Sequence, residues 1–168
     1  MDAQRYFFRI RLILIFFTLA LFLSGITAIP LQFELTFLDQ VVGEGTLVAD
    51  YIPSLAGWIS HVSAAVHDLY QDYPFLGYGY DWLAFGHFVI AIAFLGAIKD
   101  PVRNRWVIEF GMIACVLILP YAFFFGQLRG IPLFWRLIDM SFGFLGIIPL
   151  YFARKMTLEV ERKNSGDK

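Results

Sequence analysis

Apolar residues fall along this chain in four long blocks separated by short polar punctuation. Leu12 to Phe33 runs 22 residues without a charged side chain. At about 1.5 Å rise per residue such a helix exceeds a hydrocarbon core of about 30 Å. Trp82 to Ile98 is 17 residues interrupted only by His87, and Trp106 to Gly126 is 21 residues with Glu109 near its start. Ile131 to Ala153 closes the set and carries Arg136 and Asp139 in its first half. Each block predicts a membrane-crossing helix, so the spans expected are 12–33, 82–98, 106–126 and 131–153. Between the first two, residues 34–81 change period. Leu55, Trp58, Ile59, Val62, Val66, Leu69 and Tyr70 recur at helical spacing on one face, with His61, His67 and Asp68 on the others. That pattern predicts an amphipathic helix resting on a membrane surface or capping the spans. A shorter helix is expected from Glu34 to Val42, ended at Gly43-Glu44-Gly45. Tyr70, Tyr73, Phe75, Tyr78 and Tyr80 crowd the return to the membrane, as an interfacial aromatic belt does. The fold class expected is therefore all-α: a single four-transmembrane-helix bundle over 1–157, an amphipathic helix in its extracytoplasmic loop, and a frayed polar tail over 158–168.

Composition excludes the main alternatives. Of 168 residues, 59% are hydrophobic and 16% charged, against about 45–50% and about 25% in an ordinary soluble domain. A net charge of −1 supplies no electrostatic reason to expect nucleic acid. Arg5, Arg9 and Arg11 ahead of the first block resemble the start of a signal peptide. The apolar run continues through Leu31, however, and Ala28 would pair with Ile26 at a cleavage site that needs two small residues. The block is read as an uncleaved span.

Charge asymmetry predicts orientation. Residues 30–81 hold seven acids (Glu34, Asp39, Glu44, Asp50, Asp68, Asp72, Asp81) and neither Lys nor Arg. Basic residues gather before the first span, at Lys99, Arg103 and Arg105, and at Arg154, Lys155, Arg162, Lys163 and Lys168; Arg129 alone lies in an outer connection. Positive residues stay cytoplasmic. Both termini are thus expected inside a bacterial inner membrane, with 34–81 outside.

Four polar side chains are candidates for chemistry, because ionisable groups inside spans are costly. Measured from the interfacial Trp82 and Trp135, His87 lies about 7.5 Å deep and Asp139 about 6 Å, and Tyr121, six residues before Gln127 on the outward-running third span, about 9 Å deep. Arg136 sits near the headgroups, three residues before Asp139, and the two can pair along the helix. His87, Tyr121, Arg136 and Asp139 are expected to share one layer. They act there either as polar glue between helices or as a small pocket for a lipid, quinone or solute. Arg136, Asp139, Gly143 and Gly146 form one stripe that permits close helix approach. Pro120 leaves the carbonyl of Val116 without a helical donor beside Tyr121, where a kink would open space. On the opposite side, Asp100 and Pro101 read as an N-cap and first helical residue. Arg105 can pair with Glu109, and Arg103 with Arg105 forms an alternative contact for anionic lipid or a partner.

No catalytic residues, metal ligands or cofactor are expected. His61 and His67 are about 120° apart on a helix, which is not one-face ligand spacing, and only His87 lies within a span, so a bis-histidine haem site has no second ligand. Cys115 is single, and no GxSxG, P-loop, HExxH, GxGxxG or CxxC motif occurs. The stretches YGYDWLAFGHFVIA (78–91), DPVRNRWVIEFGMIACVLILPYA (100–122) and RGIPLFWRLIDMSFG (129–143) resemble an uncharacterised family of small bacterial four-span integral membrane proteins. The resemblance covers roughly the C-terminal half. It implies an inner-membrane location and assigns no role to any residue. The function expected is a non-enzymatic accessory subunit or a small-ligand or lipid binder, with membrane lipids and a membrane-protein partner or a second copy as its company. The alternative is a proton- or quinone-linked transport or redox component using His87 and Asp139.

Overall fold

The computed structural model describes residues 3–166, and those residues form seven α-helices and no strand. They are α1 (Ala3–Ala28), α2 (Leu31–Val42), α3 (Leu47–Tyr51), α4 (Pro53–Asp72), α5 (Pro74–Lys99), α6 (Arg105–Leu128) and α7 (Leu133–Gly166). Four stretches are long and apolar enough to cross a membrane: Gln4–Ala28, Pro74–Lys99, Arg105–Leu128 and Leu133–Lys163. Their outward faces are apolar, with Leu12, Phe16, Ile92, Leu95, Leu117, Phe124 and Leu145 all more than half exposed. A water-soluble fold does not leave so continuous an apolar surface.

The boundaries differ from the sequence expectation where proline and polar side chains intervene. The first span does not reach Phe33. Pro30 has no N–H to extend α1, and its carbonyl instead accepts from Glu34 N–H at 3.0 Å to start α2. At the other end α1 includes Arg5, Arg9 and Arg11, which long side chains allow by carrying their charge away from the apolar stem. Asp100 does not open α6. Its carboxylate accepts the Arg103 N–H at 3.0 Å inside a turn, and α6 begins at Arg105. The expected frayed tail is helical as far as Gly166; Asp167 and Lys168 lie outside the described residues.

Two compact units divide the chain, Met1–Ala20 with Ile90–Lys168, and Leu21–Val89. In the first, Ile10 and Leu14 of α1, Phe94 and Ala97 of α5, Ile108 of α6, and Leu150, Ala153 and Val160 of α7 form one fully buried cluster. Glycine admits this packing. A Cβ on Gly111 would lie 2.7 Å from the Phe94 ring and 2.9 Å from Leu150 Cδ1. On Gly143 it would lie 2.5 Å from the carbonyl oxygen of Cys115 and 2.5 Å from Ile118 Cγ2, and on Gly146 it would lie 2.9 Å from Cys115 Sγ. The stripe predicted to permit close approach is the face that α7 turns to α6.

In the second unit α2 packs on α4. Ser60 of α4 is the tie: its hydroxyl donates to the Asp39 carboxylate and accepts the Glu44 N–H at 2.9 Å. Gly43 is required there because a side chain would collide with Asp39 and Ser60. Along α4, Ile59 and Val66 are buried, Leu55, Trp58, Val62, Leu69 and Tyr70 half-buried, and His61, His67 and Asp68 exposed. Gly25 of α1 lies against α5, where its Cβ would meet the Phe88 ring at 2.8 Å and His87 Cβ at 3.0 Å.

Gly143→Ala is expected to lower thermal stability in detergent, by about 1–3 kcal/mol, since the obstacle is partly backbone and cannot rotate away. Gly86→Ala, with nothing within 4 Å of its Cβ, should leave the melting temperature unchanged or slightly raised. Equal melting of the two variants would show that α6 and α7 do not depend on that close contact.

Candidate functional site

The hairpin between α6 and α7 holds three of the four candidate residues. Gly130, with φ of 72°, supplies the left-handed residue that ends α6. Its N–H donates to Gln127 O at 3.1 Å and the Ile131 N–H donates to Gly126 O at 2.9 Å, the paired bonds of a Schellman cap. Pro132 follows and cannot prolong α6; its carbonyl accepts from Arg136 N–H at 3.1 Å, starting α7. This turn fixes which residues of the two helices face each other.

Arg136 uses that arrangement. Its guanidinium donates to Phe123 O at 3.0 Å and reaches Gln127 Oε1 at 3.5 Å. The cation lies 5.6 Å from the centroid of the Phe123 ring, an attractive geometry. The stem crosses Gly126, whose Cβ would meet Arg136 Cδ at 2.6 Å. A cation at the C-terminal end of α6 also meets the negative end of the helix dipole. Arg136 Nε is buried without an acceptor.

The expected Arg136–Asp139 pair is absent: no ion pair or hydrogen bond joins them among the described residues. Arg136 turns back toward α6, drawn by fixed carbonyl acceptors on a rigid neighbour. Asp139, half-buried one turn further on, has no hydrogen-bond or ion-pair partner among those residues. Tyr121, the third candidate of this hairpin, lies on α6. It is 64% exposed, and its ring stacks on Phe125 at 4.7 Å, while α6 continues through Pro120. His87, in the other unit, is half-buried, and its Nδ1–H donates to Leu83 O at 2.7 Å, which leaves Nε2 as the acceptor face of the ring.

A second polar constellation joins α6 to α7 at their other ends. The expected Arg105–Glu109 pair is present at 3.4 Å. Glu109 also accepts from Arg154 Nε at 2.9 Å, and Arg105 contacts Glu161 at 2.6 Å. Arg105 is therefore engaged by two carboxylates, while Arg103 is exposed and its backbone N–H is held by Asp100. Sequence spacing found the pair within α6 and missed Arg154 and Glu161, whose only signal was their separation of seven on one face of α7. Arg11 and Asn104 were also missed. The Arg11 guanidinium donates to Ile98 O and Lys99 O, both at 3.1 Å, and the Asn104 amide donates to Gly96 O and Asp100 O, both at 2.9 Å.

No group of three or more His, Cys, Asp or Glu among the described residues could hold a metal ion. Comparisons with protein-family models, curated proteins and solved structures found no match.

The geometry separates the two charges of α7. Arg136→Gln is expected to lower stability by about 1–2 kcal/mol through loss of a charge-assisted hydrogen bond, whereas Asp139→Asn should shift it by less than about 0.5 kcal/mol. The double variant should equal the sum within about 0.5 kcal/mol. A double variant more stable than Arg136→Gln alone, measured by thermal melting, would reveal a coupled pair.

Proposed function

We propose that the protein is a non-enzymatic bacterial inner-membrane protein, acting as an accessory subunit or as a binder of lipid or another small ligand. In this reading the four apolar helices form a four-span bundle with both termini cytoplasmic. Residues 29–73 lie outside the cell, with α4 as an amphipathic helix at the membrane surface. The family resemblance carried by residues 78–91, 100–122 and 129–143 belongs to the same proposal. The observation that carries it is where the polar side chains of the long helices go. Arg11, Arg105, Glu109, Arg136 and Arg154 are each bonded to another helix of the same chain, so their chemistry is used in adhesion. The outward faces remain apolar and suited to lipid.

A second reading rests on Asp139. An unpartnered carboxylate within a span is costly to keep, and it suits a proton-linked role, with His87 as the second residue of that reading. Quinone or proton coupling through these two residues is the alternative.

Labelling and purification test both. In a Cys115→Ala background, cysteines at Asp50 or Gln71 are expected to react with an impermeant thiol reagent on intact spheroplasts, and cysteines at Arg103 or Lys155 only after lysis. Labelling of Arg103→Cys from outside would refute the orientation. The protein purified in mild detergent should carry neither a haem Soret band nor an extractable quinone. A stoichiometric quinone lost on His87→Phe would establish the second reading in place of the first.

A further inference from the structure

Three arginines open the chain, and sequence alone makes them equivalent members of a basic flank. Their surroundings divide them. Arg11 is occupied, with Nε and a terminal nitrogen bonded to the last carbonyls of α5. Arg5 and Arg9 are exposed, and neither guanidinium has a hydrogen bond or ion pair among the described residues. They stand one turn apart on α1, about 6 Å along the axis, with the 69% exposed ring of Phe8 between them in sequence. Shallow open grooves on the α1 surface are lined by Gln4, Arg5, Phe8 and Arg9, and by Gln4, Phe7, Phe8 and Arg11. Among the described residues no carboxylate lines either groove. Below Phe8 the exposed side chains of the same helix are Leu12, Ile15, Phe16 and Leu19, a continuous apolar track.

We propose that Arg5 and Arg9 bind the phosphodiester of an anionic glycerophospholipid in the leaflet nearest the N-terminal end of α1. The proposal rests on the reading of α1 as a membrane span. Guanidinium forks match phosphate oxygens in charge and geometry, Gln4 adds a neutral donor, and an acyl chain follows Phe8, Leu12 and Phe16. This site is distinct from the Arg103–Arg105 contact expected from sequence, because Arg105 is engaged by Glu109 and Glu161.

Native mass spectrometry of the full chain, released from detergent with equimolar dioleoyl-phosphatidylglycerol and dioleoyl-phosphatidylcholine, tests the site. The natural chain should retain the anionic lipid about thirtyfold more than the zwitterionic one, the scale expected of two basic residues at a membrane surface. Arg5→Gln with Arg9→Gln should bring the two lipids to near equality, while Arg103→Gln with Arg162→Gln, which removes the same charge elsewhere, should keep the preference. Persistence of the preference without Arg5 and Arg9, or its equal loss in the control, overturns the proposal. So does displacement of the lipid by millimolar glycerol 3-phosphate, since a soluble phosphate would then be the ligand. Carbonate extraction of membranes is read separately: release of the chain refutes the span itself, whereas retention without lipid preference refutes only the lipid site.

Discussion

A helix that ends leaves its last carbonyls without intrahelical donors, and meeting that need organises much of the polar chemistry of the chain. α5 ends with Gly96, Ile98 and Lys99 carbonyls bonded by Asn104 and Arg11. At the end of α6, Phe125, Gly126 and Gln127 carbonyls accept from the backbone N–H groups of Arg129, Ile131 and Gly130. Arg136 adds a bond to Phe123 O. The side chains of Arg11, Asn104 and Arg136 are thus recruited to helix ends. The same bonds carry a second consequence. The bonds from Arg11 to the end of α5 and from Arg136 to α6 each tie a helix end to a residue on another helix, so the register between those helices is set where they end.

Packing completes what the caps begin. Once the Gly130 turn aligns α6 with α7, the small residues of α7 fall opposite the Cys115 backbone and side chain. Leu150 and Ala153 then reach the cluster made with Ile10, Leu14, Phe94 and Ile108. Lipid gives little driving force for apolar helices to associate, so close contact and hydrogen bonds must supply it. Glycine at 111, 143 and 146 allows the first, and the Arg105–Glu109–Arg154–Glu161 network contributes to the second.

Within this economy the exceptions are informative. Among the described residues Asp139 has no hydrogen-bond or ion-pair partner, and its neighbour Arg136 turns toward α6, which makes Asp139 the residue on which the proton-linked alternative turns. The Arg5 and Arg9 guanidiniums have no hydrogen bond or ion pair among the described residues, at the mouth of an apolar track. The two exceptions differ in kind. A carboxylate inside a span is held at an energetic disadvantage, whereas two exposed guanidiniums beside a bilayer meet a membrane-surface phosphate at no desolvation disadvantage comparable to burial.

The sequence by itself determined the four long apolar helices, the existence of a helix through Leu55–Tyr70, the Gly43 break and the Arg105–Glu109 pair. All of these follow from runs, periods and spacings within one segment. The stripe of Gly143 and Gly146 was legible for the same reason, because a helical face is a local property. Helix ends were less so: Pro30 moved the first boundary, and Asp100 capped a turn rather than α6. For the candidate layer, spacing supplied depth alone. Depth along a helix places His87, Tyr121, Arg136 and Asp139 at similar heights, but height does not specify direction. Tertiary structure decided that Arg136 turns to the carbonyls of α6, that Tyr121 faces outward, and that Arg11 rather than Arg5 or Arg9 caps α5. Those outcomes depend on which acceptor lies across a helix interface, and no spacing within a single helix encodes that.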